Sequence, residues 1–248
     1  MTLVVSALDR IARQCGVKKP GSWVNATRDE HLEIRDDFLS ETIEDILDRA
    51  TLPSPISKTV TLTAGSGTTN SVSAGLNGYE TFSLPTDFKR IHRDHFAFYD
   101  TLQDRPVIPV SSDGGWANLT DLGASGVIKH FRLAGYEENY TIDLYRSQGT
   151  TILHYVANVW MANNQGVVGN SFTSDEDVLI LPRRLLETGT VWRQRERRGL
   201  PYQDKMMEYE VLLERTRTDA RNLRTIQFAP PDKKIRWQDA VPAFIPPS

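Results

Sequence analysis

The chain of 248 residues has one cysteine, five histidines and no long apolar run. A lone Cys15 excludes an internal disulfide and suits a protein that matures in a reducing cytoplasm. Nothing beside it in the sequence favours a thiolate, so a core thiol is expected. The longest apolar stretches, such as "VLIL" at 178–181, fall far short of the roughly 20 residues that a spanning helix needs. No membrane span is expected. The opening "MTLVVSALDRIARQCGV" has no basic segment ahead of its apolar residues, and Asp9, Arg10 and Arg13 interrupt them. It reads as a helix rather than a signal peptide.

The common catalytic signatures are missing too. There is no phosphate-cradling Gly-x-x-x-x-Gly-Lys-Ser/Thr loop, no Gly-x-Gly-x-x-Gly turn and no Gly-x-Ser-x-Gly elbow. "HRDH" at 92–95 is the one histidine cluster. Alternation around it predicts strand or turn, where His92 and His95 face opposite sides and make a poor metal pair. The carboxylate pair that a glycosidase needs cannot be assigned from sequence. We expect no enzymatic activity, no metal and no cofactor.

What is present is an ordinary globular composition, 39% apolar and 25% charged, with a net charge of −3. A chain of this size buries about three quarters of the surface it exposes when unfolded. The charge is unevenly placed. Between residues 27 and 50 nine acids face three arginines, whereas residues 182–224 hold eleven bases and seven acids. An acidic helix and a basic hairpin are thus built into one molecule.

Val4, Ala7, Leu8, Ile11, Ala12 and Cys15 keep helical spacing, predicting a helix from Thr2 as N-cap to Cys15, stopped by Gly16. Thr27 and Glu30 form a capping-box pattern for a second helix. Its stripe is Ile34, Phe38, Leu39, Ile43, Ile46 and Leu47, ended by "TLPSP" at 51–55. From 56 to 160 the period becomes two. "KTVTLT", "YETFSL", "HFAFY", "RPVIPV", "GVIKHFRL", "YTIDLY" and "TILHYVANVW" read as strands between Gly, Ser, Asn and Asp clusters. "TIDLYRSQGTTILHYV" has the form of a hairpin.

Helical spacing returns after "NNQGVVGNSFTSDED", where Ser174 and Asp177 are placed to cap, with Pro182 near the start. Leu181, Leu185, Leu186 and Trp192 mark the apolar side. Gly199 fits a left-handed helix stop and Pro201 the first turn of the next helix, whose stripe is Tyr202, Met206, Tyr209, Leu213, Thr216, Ala220 and Leu223. The reading is therefore α+β. Helices from residues 1–52 and 174–225 form a bundle, 56–160 an inserted antiparallel sandwich or small barrel, and 226–248 an extended, proline-rich arm. The arm carries Ile235, Trp237, Val241, Phe244 and Ile245, more apolar bulk than a linker tolerates in water.

Four arginines, Arg193, Arg195, Arg197 and Arg198, crowd the end of the penultimate helix. A helix C-terminus accommodates cations through its dipole and exposed carbonyls, and from the residues alone this solvated end ranks slightly ahead of ion pairs to a neighbouring subunit. Guanidinium groups also make bidentate pairs with carboxylates or phosphates. Base-specific DNA recognition ranks last, because Glu187, Glu196 and the acidic helix break up a dedicated basic surface.

The ordered series of motifs resembles the head-tail adaptor proteins of tailed bacteriophages, also called connector or tail tubular proteins. "GTVWRQRERRGLPYQDKMMEYEVLLERTRTDAR" (189–221) is similar to their C-terminal hairpin, with a Gly-x-x-Trp-Arg helix and a Gly-Leu-x-Tyr break. "YETFSLPTDFKRI" (79–91) resembles their sheet entry through Leu84-Pro85, Asp87 and Arg90. "FRLAG", "YTIDLY" and "TILHYVANVW" follow in the same order, and the first helix is also similar. The likeness runs from about residue 2 to 224. The tail beyond Thr225 matches no such motif, and the loop at 64–77 is longer than usual.

The resemblance implies a structural virion protein of the neck, made in the host cytoplasm, that forms a ring of about twelve copies beneath the portal. Its helices would line a channel for double-stranded genomic DNA, joining the portal to the next tail component. Such a wall holds DNA weakly, because stably neutralised phosphates slow passage. In a ring each copy shows its neighbours two different faces. Arg193, Arg195, Arg197 and Arg198 on one side and Glu33, Asp37 and Glu44 on the other are expected to steer that contact. Trp237, Phe244 and Ile245 are expected to dock on the portal or a neighbour. The alternatives from other classes are a carbohydrate-binding or hydrolytic sandwich, which needs exposed aromatics beside acids, and a non-specific DNA-binding module, which needs steep salt dependence.

Overall fold

The computed structural model of the chain describes residues 2–50, 52, 55–70, 79–92, 97–122, 128–135, 139–145 and 149–227. The chain begins with a short strand, β1 (Thr2–Leu3), and turns directly into α1 (Val4–Gln14). Thr2 is therefore not the N-cap. It pairs with Leu179 in a ladder, while Leu3 holds the cap position without a side-chain bond. The first N–H of the helix, on Val4, instead reaches the Asp177 carbonyl at 2.8 Å, which satisfies one of the orphan donors of a helix start. Val4, Ala7, Leu8, Ile11 and Ala12 are fully buried, at roughly 1.5–3 kcal/mol for each large aliphatic side chain. The loop that follows is pinned by Trp23, which is buried, donates to Asp9 at 2.8 Å and meets the edge of the His31 ring.

The second helical segment starts as α2 (Asp29–Leu32), passes through a π-helical stretch (Glu33–Phe38) and continues as α3 (Leu39–Arg49). Its cap residue is Arg28, not Thr27, and no side chain caps it. With the start moved on by one residue the third helical position falls on His31, so the Thr27–Glu30 box cannot close. The buried stripe explains the π stretch. Ile34 and Phe38 share one phase, whereas Leu39, Ile43, Ile46 and Ala50 follow a phase one residue later, and all six are buried. One extra residue per turn at this point is what a π-bulge supplies.

The β region begins with β2 (Ser57–Thr63), β3 (Thr68–Asn70), β4 (Tyr79–Ser83), β5 (Phe88–Ile91) and β6 (Phe98–Asp100). After β7 (Arg105–Pro106) and β8 (Ile108–Pro109) a helix intervenes, α4 (Asp113–Leu122), before β9 (His130–Ala134), β10 (Thr141–Tyr145) and β11 (Thr150–Ala157). One sheet has the order β3-β4-β10-β9-β8; the other runs β2-β11-β6-β7, with β5 also on β11. Pairing is antiparallel except between β8 and β9. The described strands form separate sheets rather than a closed barrel.

The expected hairpin between β10 and β11 does not form, because the two consecutive strands belong to different sheets. The reason is that β10 has no free edge. β4 and β9 pair with it along its whole length on both sides. Its faces are covered as well, and Ile142, Asp143, Leu144 and Tyr145 are all buried. On one side Phe131 of β9 meets Phe98 of the opposite sheet edge to face. On the other, Trp116 of α4 packs on Tyr79 and lies under the Arg132 guanidinium. Helix α4 was not expected from the sequence. Its start is fixed by Ser112, whose hydroxyl accepts from the Gly115 N–H at 3.1 Å.

A third, small sheet ties the start of the chain to the segment that leads into the C-terminal helices. It orders β1 beside β14 (Val178–Leu179), then β12 (Met161–Ala162) and β13 (Val168–Gly169). Ser174 and Asp177 therefore do not cap a helix. The Asp177 carboxylate accepts the N–H groups of Thr173 and Ser174, each at 2.9 Å, closing a turn that feeds β14. Helix α5 (Arg183–Arg197) starts later, with Pro182 at its N-cap, and α6 (Gln203–Gln227) begins beyond Pro201, which lies just outside rather than in the first turn. Gly199, at φ +67°, is the left-handed stop.

Arg90 of β5 joins the sheets to the helices. Its guanidinium donates to the carbonyls of Leu47 and Ala50, both at 2.9 Å. These carbonyls sit at the end of α3, where the chain leaves acceptors unpaired and a cation is favoured by the helix dipole. One contiguous apolar core runs from Val4 through Phe131 to Leu213.

Candidate functional site: a charged seam between the helices

Helix α5 lies between α1 and α3, with α6 packed over it. Its buried residues are unusually polar: Glu187, Thr188, Thr190 and Gln194 accompany Leu185, Leu186 and Val191. Gly189 is where the helices come closest. A Cβ there would overlap the Thr42 methyl of α3 and lie 2.8 Å from the Tyr209 ring of α6. Glycine inside a helix costs about 1 kcal/mol against alanine, and the close approach of three helices offsets it.

One turn further on, Arg193 points into the same crossing. Its guanidinium donates to Asp45 at 3.1 Å, to the Thr42 hydroxyl at 3.2 Å and to the Gly189 carbonyl at 3.2 Å. It also lies over the Trp192 ring at 4.5 Å and the Tyr209 ring at 5.5 Å. Tyr209 donates its hydroxyl to the other side of the arrangement, reaching Asp45 at 2.6 Å. Arg193 is 11% exposed and Asp45 20%, so the pair is held largely away from solvent screening. Desolvation and the neighbouring Asp45 charge hold the Tyr209 phenol well above its ordinary pKa. It acts as a neutral donor.

The seam continues along the hairpin. Arg49 at the end of α3 makes a two-pronged pair with Glu210 of α6, at 2.9 and 2.5 Å, and Arg184 of α5 meets Glu208 at 2.9 Å. Arg197 reaches Asp37 at 3.6 Å and Glu41 at 3.8 Å across the Phe38 ring, and Arg198 reaches Glu33 at 3.8 Å. The basic hairpin and the acidic helix therefore do not lie on opposite sides of the molecule. They face each other inside one chain. Arg193 and Arg197, four apart on α5, meet Asp45, Glu41 and Asp37, which are spaced by four on the segment beside it, and Arg198 just past the end of α5 meets Glu33. Of the seven charged residues singled out in the sequence, Arg195 and Glu44 alone make no ion pair among the described residues.

Sequence reasoning gave Asp45 and Thr42 no organising role and named Gly189 and Arg90 only as motif residues of the resemblance. A faint signal existed for Asp45, which sits four residues from both Glu41 and Arg49 on one helical side. Trp237, Phe244 and Ile245 lie outside the described residues.

The seam fixes shape and offers little chemistry. Among the described residues no group of three or more His, Cys, Asp or Glu side chains is arranged to hold a metal. His92 is buried and shares a hydrogen bond with the Ser57 hydroxyl at 2.5 Å. Cys15 has its thiol pushed up to about 11, foremost by burial. No described helix is long and apolar enough to cross a membrane. A shallow cleft of about 310 Å³ lies between β8, β9 and the start of α4, lined by Ser111, Ser112, Asp113 and Arg132 among others. Its cation is already committed: Arg132 is bound to Asp143 at 2.8 Å and to Asp113 at 3.3 Å. Phe131, the aromatic that lines it, is 7% exposed. The chain matches no protein-family model and no curated protein.

Proposed function

We propose that this protein is a head-to-tail adaptor of a tailed bacteriophage: a structural virion protein that forms a ring below the portal and joins the capsid to the tail. One observation carries the reading. The residues on which the resemblance rests, scattered in sequence, converge in space with mechanical roles. Gly189 permits the crossing of α3, α5 and α6, Trp192 and Arg193 stack beside it, and Tyr202 after the Gly-Leu break lies against Trp192 with ring centres 6.3 Å apart. From the sheet-entry motif, Asp87 accepts from Lys58 and Tyr155, and Arg90 closes the end of α3.

Such a node suits a wall element. It stiffens a helical hairpin, as a protein that transmits load between two assemblies requires. Helix α6, 25 residues and about 37 Å long, extends beyond its partner α5 of 15 residues. The neck reading gives that extension a place along a channel, with mixed charge along the hairpin keeping its grip on passing DNA weak. The arm at 226–248 then docks on the portal or a neighbouring copy.

The reading is tested by electron microscopy of the protein mixed with portal rings encoded in the same genome. A ring of this protein seated on the portal is the expected image, and bare portals at saturating protein would overturn the proposal. Removing residues 226–248 should leave a folded protein that no longer binds; full attachment by the truncated chain would refute the role of the arm.

A further inference from the structure

We infer that copies of this chain join through two surfaces that the internal seam compensates only weakly: a basic flank on α1 and the end of α5, and an acidic stripe along α3 and the turn before it. The inference rests on the ring reading above and specifies its contact. Helix geometry separates the two surfaces. On α5, Arg193 and Arg197 are four apart and turn toward α3, whereas Arg195 lies two residues from each, about 200° around the helix. That direction leads to the end of α1, where Arg195 and Arg198 are the charges acting on the Cys15 thiol. Arg10 and Arg13, three apart on α1, are exposed, opposite the buried Ala7, Leu8, Ile11 and Ala12. Arg10, Arg13 and Arg195 form no ion pair among the described residues, and Glu196 is the exposed acid at this end of α5.

The acidic counterpart is a single row. Asp37, Glu41, Glu44 and Asp48 recur every three or four residues along about 16 Å of helix, all exposed. Their spacing alone sets them on one side of the helix axis. Their internal compensation is slight. Glu44 has no cationic partner among the described residues. Asp37, Glu41 and Asp48 make contacts of only 3.6 to 3.9 Å, to Arg197, Arg193 and Lys89. A row of acids on one flank and a row of arginines on the other, with α5 between them, is the complement that a heterologous contact repeats from copy to copy. A self-complementary dimer would need both rows on one face. The occupant of each surface is thus a second copy of this chain.

Two full-length variants test the contact. One carries Arg10→Glu, Arg13→Glu and Arg195→Glu; the other carries Glu44→Lys and Asp48→Lys. None of these residues belongs to the Arg193–Asp45–Tyr209 node. Each variant alone should lose ring formation on portal particles by about tenfold or more at low salt, while wild-type rings weaken as salt is raised. An equimolar mixture of the two variants should regain rings, because the first then offers acids on both flanks and the second bases on both. Rescue by mixing separates lost complementarity from misfolding, and with both variants shown folded by circular dichroism and thermal melting, failure of the mixture overturns the inference. Assembly of either variant at the wild-type level also overturns it and leaves the ring reading standing, whereas absence of wild-type rings removes that reading itself.

Discussion

Tyr209 and Asp45, 164 positions apart in the chain, meet through a hydroxyl–carboxylate hydrogen bond of 2.6 Å, and Arg193 closes the triangle at 3.1 Å from the same carboxylate. The three residues come from α6, α3 and α5. One carboxylate therefore fixes how both limbs of the C-terminal hairpin sit on the N-terminal helices. Its removal affects all three.

Replacing Asp45 with Asn leaves Arg193 largely buried beside a neutral group and weakens the acceptor for Tyr209. Breaking one partner of a buried pair costs about 3–5 kcal/mol, and partial exposure places this one near the lower end. Urea denaturation should record a loss of about 3 kcal/mol. Replacing both Asp45 and Arg193 with apolar residues should cost less than Asp45→Asn alone, and a larger loss in the double variant would contradict this account.

Gly189→Ala offers a test of opposite sign to helix propensity. In a free helix alanine is better than glycine by about 1 kcal/mol. Here the added methyl meets Thr42 and Tyr209, and overpacking of this kind costs about 1–3 kcal/mol. The thermal midpoint should fall. Gly189→Ala combined with Thr42→Ser, which removes the blocking methyl, should recover part of the loss.

Arg90→Met keeps the apolar stem while removing the donors to the Leu47 and Ala50 carbonyls. Loss of about 1–2 kcal/mol is expected for two charge-assisted bonds at a helix end. Hydrogen exchange should quicken locally, at the Ala50 amide that bonds Ile46, before it quickens in the sheets. Uniform acceleration throughout the chain would speak against a capping role.

Glu187 carries the pH dependence. Burial raises its pKa, while Arg183 and Arg10 oppose the shift without cancelling it. Its neutral form is therefore favoured by folding. That contribution is complete below the unfolded value and is lost as pH rises through the higher folded one. Glu187→Gln should gain on the wild type as pH is raised from about 4 to 8. A gap that shrinks over that range would show that the arginine contacts dominate.

Local periodicity carried much of this fold. The stripes of α1 and of the Ile34–Leu47 segment, the stop at Gly199 and the alternating strands could be read directly, because spacing of apolar residues is a property of neighbours along the chain. The π stretch was not anticipated: the residues on either side of the one-residue slip between Phe38 and Leu39 were read as one stripe. Nor was helix α4. Its two glycines and weak amphipathicity give no periodic signal, and what holds it is Trp116 packing on Tyr79 of β4 and under Arg132 of β9. The N-cap at Thr2 failed because the Val4 N–H finds the Asp177 carbonyl, 173 residues away, whereas Thr27 lost its place when the helix began one residue later and Ser174 is held in a turn by the Asp177 carboxylate.

The charge asymmetry between residues 27–50 and 182–224 was fixed by the sequence alone, and so was the need for something to compensate it. Whether those charges meet within one copy or between copies was decided by the tertiary packing. The Gly189 crossing brings α3 to α5 closely enough for Arg193, Arg197 and Arg198 to find acids inside the chain. Coulomb attraction acts through space and is blind to sequence separation, so only the folded arrangement sorts the charges that are matched internally from those, such as Arg195 and Glu44, that form no ion pair among the described residues.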